Sequence, residues 1–204
     1  MKVLGRADSL NVRKVLWAMD EMGMEIVRED YGGSFGKTDT EEYRRMNPTG
    51  LVPVVIDGDA AIWESNTIIR YLATRSPNKG FAGASNREAA EISQWMDWQL
   101  GTLNPLAQSL FAQIRLGEKS DPKIVADVSA NLTKLLNTVL KRALPPHGFM
   151  FGKSVTAADV CLGIMLHRYV SLLDAASLED RVRQYHKENS ARAGFQKYVA
   201  IGKP

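Results

Sequence analysis

A chain of 204 residues, 45% hydrophobic and 24% charged with no biased tract, has apolar content enough for one large core or two small ones. Its 26 Lys and Arg against 23 Asp and Glu leave a net charge of only +3, scattered among acids, which excludes the basic stripe of a nucleic-acid binder. One cysteine, Cys161, excludes an internal disulfide or a Cys-x-x-Cys redox pair, and no run of about eighteen apolar residues offers a membrane span.

The first six residues carry no apolar signal core, and a cytoplasmic protein is expected. Residues 2–5 then read as a short strand. Val12, Val15, Leu16, Met19 and Met22 fall at helical spacing, and Gly23 supplies the stop. Residues 24–29 alternate as a strand does, and residues 40–46 form a short helix closed by the turn Asn47-Pro48-Thr49-Gly50. Residues 52–56 are a β-branched strand, Asp57-Gly58-Asp59 a hairpin turn, and residues 60–63 the returning strand. Ile68, Ile69 and Leu72 mark the inner face of a helix over 64–75. The order β-α-β-α-β-β-α is that of a thioredoxin-like α/β domain, expected over residues 1–76. The turn formers Ser76-Pro77-Asn78-Lys79-Gly80 open a linker over 77–86.

Beyond the linker the patterning is all-α, a helical bundle over residues 87–204. A long helix, or one broken at Asn104-Pro105, spans 87–116. A second spans 124–144, stopped by Pro145-Pro146. A third runs over 156–173, its start a capping box of Thr156 and Asp159, and holds Cys161 in an apolar run that predicts a buried thiol. Shorter helices follow from Leu178, and the densest basic stretch, residues 181–187, reads as the polar face of one of them.

Three places in the first domain carry possible chemistry. Pro53 within a β-branched strand means an edge strand, a bulge or a cis bond; in the last case the backbone of Val52 turns outward and can pair with an extended ligand. Glu64-Ser65 leaves a strand and opens a helix, where free N–H groups and the helix dipole favour an anion, or where Ser65 simply caps. Ser9 lies between the first strand and first helix. Its hydroxyl is suited to hold a thiolate and lower a thiol pKa, although Ser9 or Asn11 as a plain N-cap explains the residue as well. The fold order brings all three places to one edge of one sheet.

The chain resembles the cytosolic glutathione S-transferases, particularly their bacterial theta-like and nu-like members. The resemblance rests on Ser9-Leu10-Asn11-Val12-Arg13-Lys14-Val15 with Gly23, on Asn47-Pro48-Thr49-Gly50-Leu51-Val52-Pro53-Val54, and on Trp63-Glu64-Ser65-Asn66-Thr67-Ile68-Ile69-Arg70-Tyr71-Leu72. Gln94-Trp95-Met96-Asp97-Trp98 and Thr156-Ala157-Ala158-Asp159 extend it to nearly the whole length. It implies glutathione as co-substrate with no metal, a cis bond before Pro53, Val52 paired to the cysteinyl backbone, and Glu64 and Ser65 on the γ-glutamyl end. It implies Ser9 as the hydroxyl that stabilises the thiolate, with Asn11 as a rival. Thr156 and Asp159 match a structural motif of the family, not a catalytic one.

Leu51 stands where many theta-like proteins carry a lysine, which leaves Lys37, before the second helix, to meet the glycyl carboxylate. No cysteine lies near position 9, against the omega-like and beta-like branches. In the helical domain Trp98, Phe111 and Arg115 are candidates for the second-substrate pocket or plain core, and Asp97 and Gln99 for reaching glutathione in the partner subunit of a homodimer. His147, His167 and His186 lack ligand spacing. The expected function is transfer of glutathione to small hydrophobic electrophiles. Glutathione-dependent isomerisation, peroxide reduction or dehalogenation on the same site, and a non-catalytic transferase-like binding module, are the alternatives; Val52-Pro53 and Glu64-Ser65 weigh against the module, Leu51 for it.

Overall fold

The computed structural model describes residues 1–173 and 175–202. The chain divides into two compact units, Met1–Ala89 together with the segment from Arg192, and Ala90–Ala191.

The first unit is built on a four-stranded sheet of β1 (Lys2–Leu4), β2 (Arg28–Glu29), β3 (Val54–Asp57) and β4 (Ala60–Trp63), in the order β2-β1-β3-β4. β1 pairs parallel with β2, whereas β1–β3 and β3–β4 are antiparallel. Residues paired in register share a face of the pleat. Leu4 and Val54 are buried with Tyr43 of α2 (Glu41–Met46) against Met46, Tyr31 and Trp63. Val3 and Val55, also paired, are fully buried on the opposite face. There α1 (Leu10–Glu21) and α3 (Ser65–Arg75) pack against each other, and α3 lies along β3 and β4. Val12, Val15, Met19, Ile68, Ile69 and Leu72, all fully buried, are the helical stripes read from the sequence.

Three boundaries differ from expectation for local reasons. The strand expected over 24–29 is reduced to Arg28–Glu29, because β1 offers only Val3 and Leu4 as partners. β1 itself stops before Gly5, where the chain passes so close to α1 that a β-carbon would lie 2.4 Å from Val12 Cγ2. β3 starts only after Pro53, which has no N–H for the ladder and follows Val52 through a cis peptide. The segment after α3 is tied into this unit: Ser76 Oγ accepts from Asn78 N at 3.0 Å, and both Ser76 and Phe81 are fully buried.

The second unit is helical. α4 (Asn86–Trp98) runs into α5 (Asn104–Leu116) through one π-helical turn, Gln99–Leu103. The wide turn sits directly before Asn104-Pro105, the place where a missing N–H denies an ordinary helix one bond. α6 (Pro122–Leu135) likewise continues through a π turn, Leu136–Leu140, into α7 (Lys141–Ala143). α8 (Ala157–Leu172) is buried on nearly every side, as its unbroken apolar sequence demands, with Cys161 fully inside. The buried Asp159 carboxylate starts it, accepting from Thr156 N (2.8 Å), Thr156 Oγ1 (2.7 Å), Met150 N (2.7 Å) and Tyr185 Oη (2.7 Å). That last partner comes from α9 (Asp180–Ser190).

The final helix, α10 (Ala193–Tyr198), belongs to the first unit rather than to the helical one. Phe195 meets Trp17 of α1 edge to face at 5.0 Å between ring centroids, and both rings are fully buried. Arg192 holds Glu21 through Nε (3.0 Å) and Nη2 (2.6 Å). No helix of the described residues is long and apolar enough to cross a membrane.

Candidate functional site

The sheet register fixes where the site residues emerge. Glu29, Leu4, Val54 and Trp63 lie in one row across the four strands. β1, β2 and β4 end at this row and β3 begins beside it. The loops carrying Ser9 and Lys37, the Val52–Pro53 approach and the Glu64–Ser65 entry into α3 therefore all gather at one edge of the sheet.

Ser9 is the N-cap residue of α1 in position (φ −76°, ψ 124°), yet its side chain makes no cap hydrogen bond. The loop beneath it is pinned otherwise. Arg13, only 5% exposed, donates from Nε to Ala7 O at 3.0 Å, and Arg6 donates to Asp8 Oδ1 at 3.0 Å. The hydrogen bond from Arg6 holds the Asp8 carboxyl below its usual range, while burial lowers Arg13. Asn11, in the first turn of α1, is exposed but engaged: its Oδ1 accepts from Ser65 Oγ at 3.3 Å. Behind that contact a buried pair, Lys14 Nζ to Asn66 Oδ1 at 2.6 Å, ties α1 to α3 a second time.

Glu64 caps α3 at φ 66°, its side chain exposed and not bonded to the helix. Ser65, the first helical residue, is buried at 5% exposure. Lys37 also has a positive φ of 70°. Among the described residues Lys37 and Glu64 are the non-glycine positions in that region, a backbone state that persists only where the surroundings impose it and that gathers at ligand clamps. The Lys37 ammonium donates to Asp30 O at 3.3 Å and stands 4.7 Å from the Tyr31 ring centre. Leu51 has no side-chain role visible here, being 68% exposed, but its carbonyl accepts from Tyr43 Oη and Asn47 Nδ2, both at 2.8 Å. Burial pushes the Tyr43 phenol up to about 12, so it remains a donor. This anchors the residue before Val52, whose Cβ lies 3.3 Å from where a β-carbon on Gly5 would stand.

In the helical unit Trp98 meets Trp95 edge to face at 5.3 Å. Phe111 has guanidinium groups on it: Arg115 at 5.4 Å and Arg168, from α8, at 3.7 Å from the ring centre. Asp97 is exposed, whereas Gln99 in the π turn is 2% exposed. His167 and His186 stack at 3.2 Å between Nδ1 and Nε2. Among the described residues no group of three or more His, Cys, Asp or Glu is arranged to hold a metal ion.

Arg13, Lys14 and Arg168 were missed by the sequence reading. The signal for Arg168 was present, since it is a lone guanidinium in an otherwise apolar helix. Arg13 and Lys14 lie off the apolar stripe of α1, and their burial comes from the Ala7 loop and from Asn66 of α3, which the sequence pattern does not announce.

The architecture defines a class first: a thioredoxin-like unit followed by an all-helical one. Residues 8–75 match the family model described as the glutathione S-transferase N-terminal domain. Over nearly its full length the chain is 32% identical to glutathione S-transferase F12 of Arabidopsis thaliana, covering 98% of each. It is 26% identical to glutathione S-transferase GstB of Escherichia coli K12, covering 97% of this chain and 96% of the relative. The solved theta class glutathione S-transferase of Xanthomonas axonopodis pv. citri with glutathione bound superposes with a TM-score of 0.88 at 28% identity, over 100% of this chain and 98% of that one. The chain belongs to the glutathione S-transferase family and is an enzyme of that kind.

Proposed function

We propose that the chain transfers glutathione to small electrophiles with an apolar body, and that Ser9 activates the thiol. The observation that carries this is the state of the two rival side chains. Ser9 stands at the head of α1 with its hydroxyl free of any capping bond, whereas the Asn11 carbonyl oxygen is occupied by Ser65. A hydroxyl there donates to the sulfur, and the positive end of α1 adds to the stabilisation of the thiolate. Glutathione lies along the sheet edge, its cysteinyl backbone on Val52 and its γ-glutamyl end on Glu64 and Ser65 at the head of α3. Lys37 takes the glycyl carboxylate in place of the lysine absent at Leu51. The thiolate sulfur bonds to the electrophilic carbon, and the displaced electron pair leaves with the departing group or is protonated by water. Holding both partners side by side supplies much of the rate. Trp98, Phe111 and Arg115 line the second-substrate pocket, and the working form is a cytoplasmic homodimer in which Asp97 approaches the partner's site.

Thiol consumption with aryl halides, epoxides and enones tests the assignment. Ser9→Ala is expected to lower kcat/KM by about one to two orders of magnitude and to raise the pH at which the rate plateaus, toward the free thiol range near ~8.5. Full activity in Ser9→Ala with loss in Asn11→Ala would transfer the role to Asn11. Calorimetric titration with glutathione separates the enzyme from a binding module that has lost it: no heat at millimolar ligand would overturn the transferase reading.

A further inference from the structure

Arg168 lies on α8 at 5% exposure, surrounded by one of the most apolar stretches of the chain. Its Nε is fully buried without a hydrogen-bond partner, and no described residue gives this side chain a hydrogen bond or an ion pair. The one compensation is the Phe111 ring, 3.7 Å from the guanidinium carbon, which covers the cation but takes none of its five N–H donors. A charge of the same sign shares that ring: Arg115, one helical turn beyond Phe111 and 5.4 Å from the ring centre, lowers the Arg168 pKa further after burial itself. A guanidinium keeps its proton under such conditions, and a buried, unpaired cation is unfavourable until an anion meets it. One buried guanidinium and one exposed guanidinium thus share the Phe111 ring, two positive charges on one apolar surface.

We propose that Arg168, with Arg115 beside it, holds a carboxylate carried by the second substrate, so that the preferred electrophile is an acid with an apolar body. The inference rests on the transferase reading above and narrows it. A carboxylate matches the planar donor fork of arginine, two N–H groups to two oxygens. It takes no part in the bond changes: the glutathione sulfur bonds to the reacting carbon, the leaving group departs with its electron pair, and the thiol proton goes to solvent.

The experiment compares 4-chloro-3,5-dinitrobenzoate with its neutral amide, two aryl chlorides that differ in charge at one substituent. The wild-type enzyme is expected to show a kcat/KM for the carboxylate about tenfold or more above that for the amide, expressed mainly in KM. Arg168→Met, of similar bulk and no charge, is expected to erase that preference. Arg115→Met, at an exposed position that leaves the fold intact, is expected to reduce it and serves if Arg168→Met does not fold. Equal rates for the two compounds in the wild type, or a preference that survives in the folded variants, overturns the proposal. Calorimetry with 3,5-dinitrobenzoate and 3,5-dinitrobenzamide, neither of which has the chloride leaving group, reads the site without glutathione or turnover. Carboxylate preference there without any transfer activity upholds the anion site and removes the transferase reading; transfer activity without carboxylate preference does the reverse.

Discussion

Glu64 holds φ 66° and ψ 112° at the head of α3, a region that costs a residue with a β-carbon roughly 1–3 kcal/mol. Its carboxylate makes no capping bond to the helix and is exposed, so the side chain itself offsets none of that cost. Strained positions of this kind gather at ligand clamps, and under the proposed function the ligand of Glu64 is the γ-glutamyl end of glutathione. Glu64→Gly separates the two effects: thermal unfolding is expected to show a gain of about 1 kcal/mol, while KM for glutathione rises several-fold. A variant less stable than the wild type, with unchanged KM, would show that the strain serves packing instead. At this scale the sequence disclosed residue types and their order but not their occupation. Ser9 and Asn11 were equivalent cap candidates on paper, because which hydroxyl or amide is engaged depends on α3, fifty-four residues away in the Asn11–Ser65 contact. The positive φ of Lys37 and Glu64 is invisible too, since neither residue type announces it.

Between elements, the contact of α8 with α9 carries a pH dependence. His167 and His186 stack with Nδ1 and Nε2 at 3.2 Å, a bond that needs one donor and one acceptor and so cannot survive protonation of both rings. Burial, and then the neighbouring ring, lowers the His186 pKa from 6.5 to about 4. The unfolded chain thus binds the proton that the folded chain refuses between those two values. Stability is complete above pH 6.5 and falls as pH drops toward 4, by an amount on the order of 2 kcal/mol once solvent screening of this half-buried pair is allowed for. Denaturant midpoints between pH 7.5 and 4.5 check this, and His186→Gln is expected to flatten the profile. The elements themselves were largely readable, because amphipathic stripes such as Val12–Val15–Met19 and Ile68–Ile69–Leu72 are period signals that packing obeys. What failed was length. The second strand shrank to two residues because its partner is short, and the long helix bridged Asn104-Pro105 through a π turn where a break was equally readable.

For the whole molecule, the two patterns, alternating α/β and then all-α, were legible as a change of period, while the first unit continues past residue 76 to Ala89. The return of α10 to the first unit was not. A six-residue helix has too few apolar positions to state which core it joins, and Phe195 finds Trp17 only through the fold. Both rings are fully buried, so Phe195→Ala is expected to cost about 3–5 kcal/mol. Chemical denaturation followed by circular dichroism measures it, and a loss under 1 kcal/mol would mean that α10 is a dispensable attachment.

The pairing of α1 with α10 also sets a schedule for synthesis. Trp17 and Glu21 leave the ribosome before the helical unit is made, while Phe195 and Arg192, which cover and clamp them, follow it. At about 5–20 residues per second the apolar side of α1 waits on the order of ten seconds or more for its cover. The sheet-containing unit, though it precedes the helical one in translation, is thus the later of the two to reach its finished packing, and a chain released before Phe195 would expose the indole of Trp17 to any chaperone that reads apolar surface.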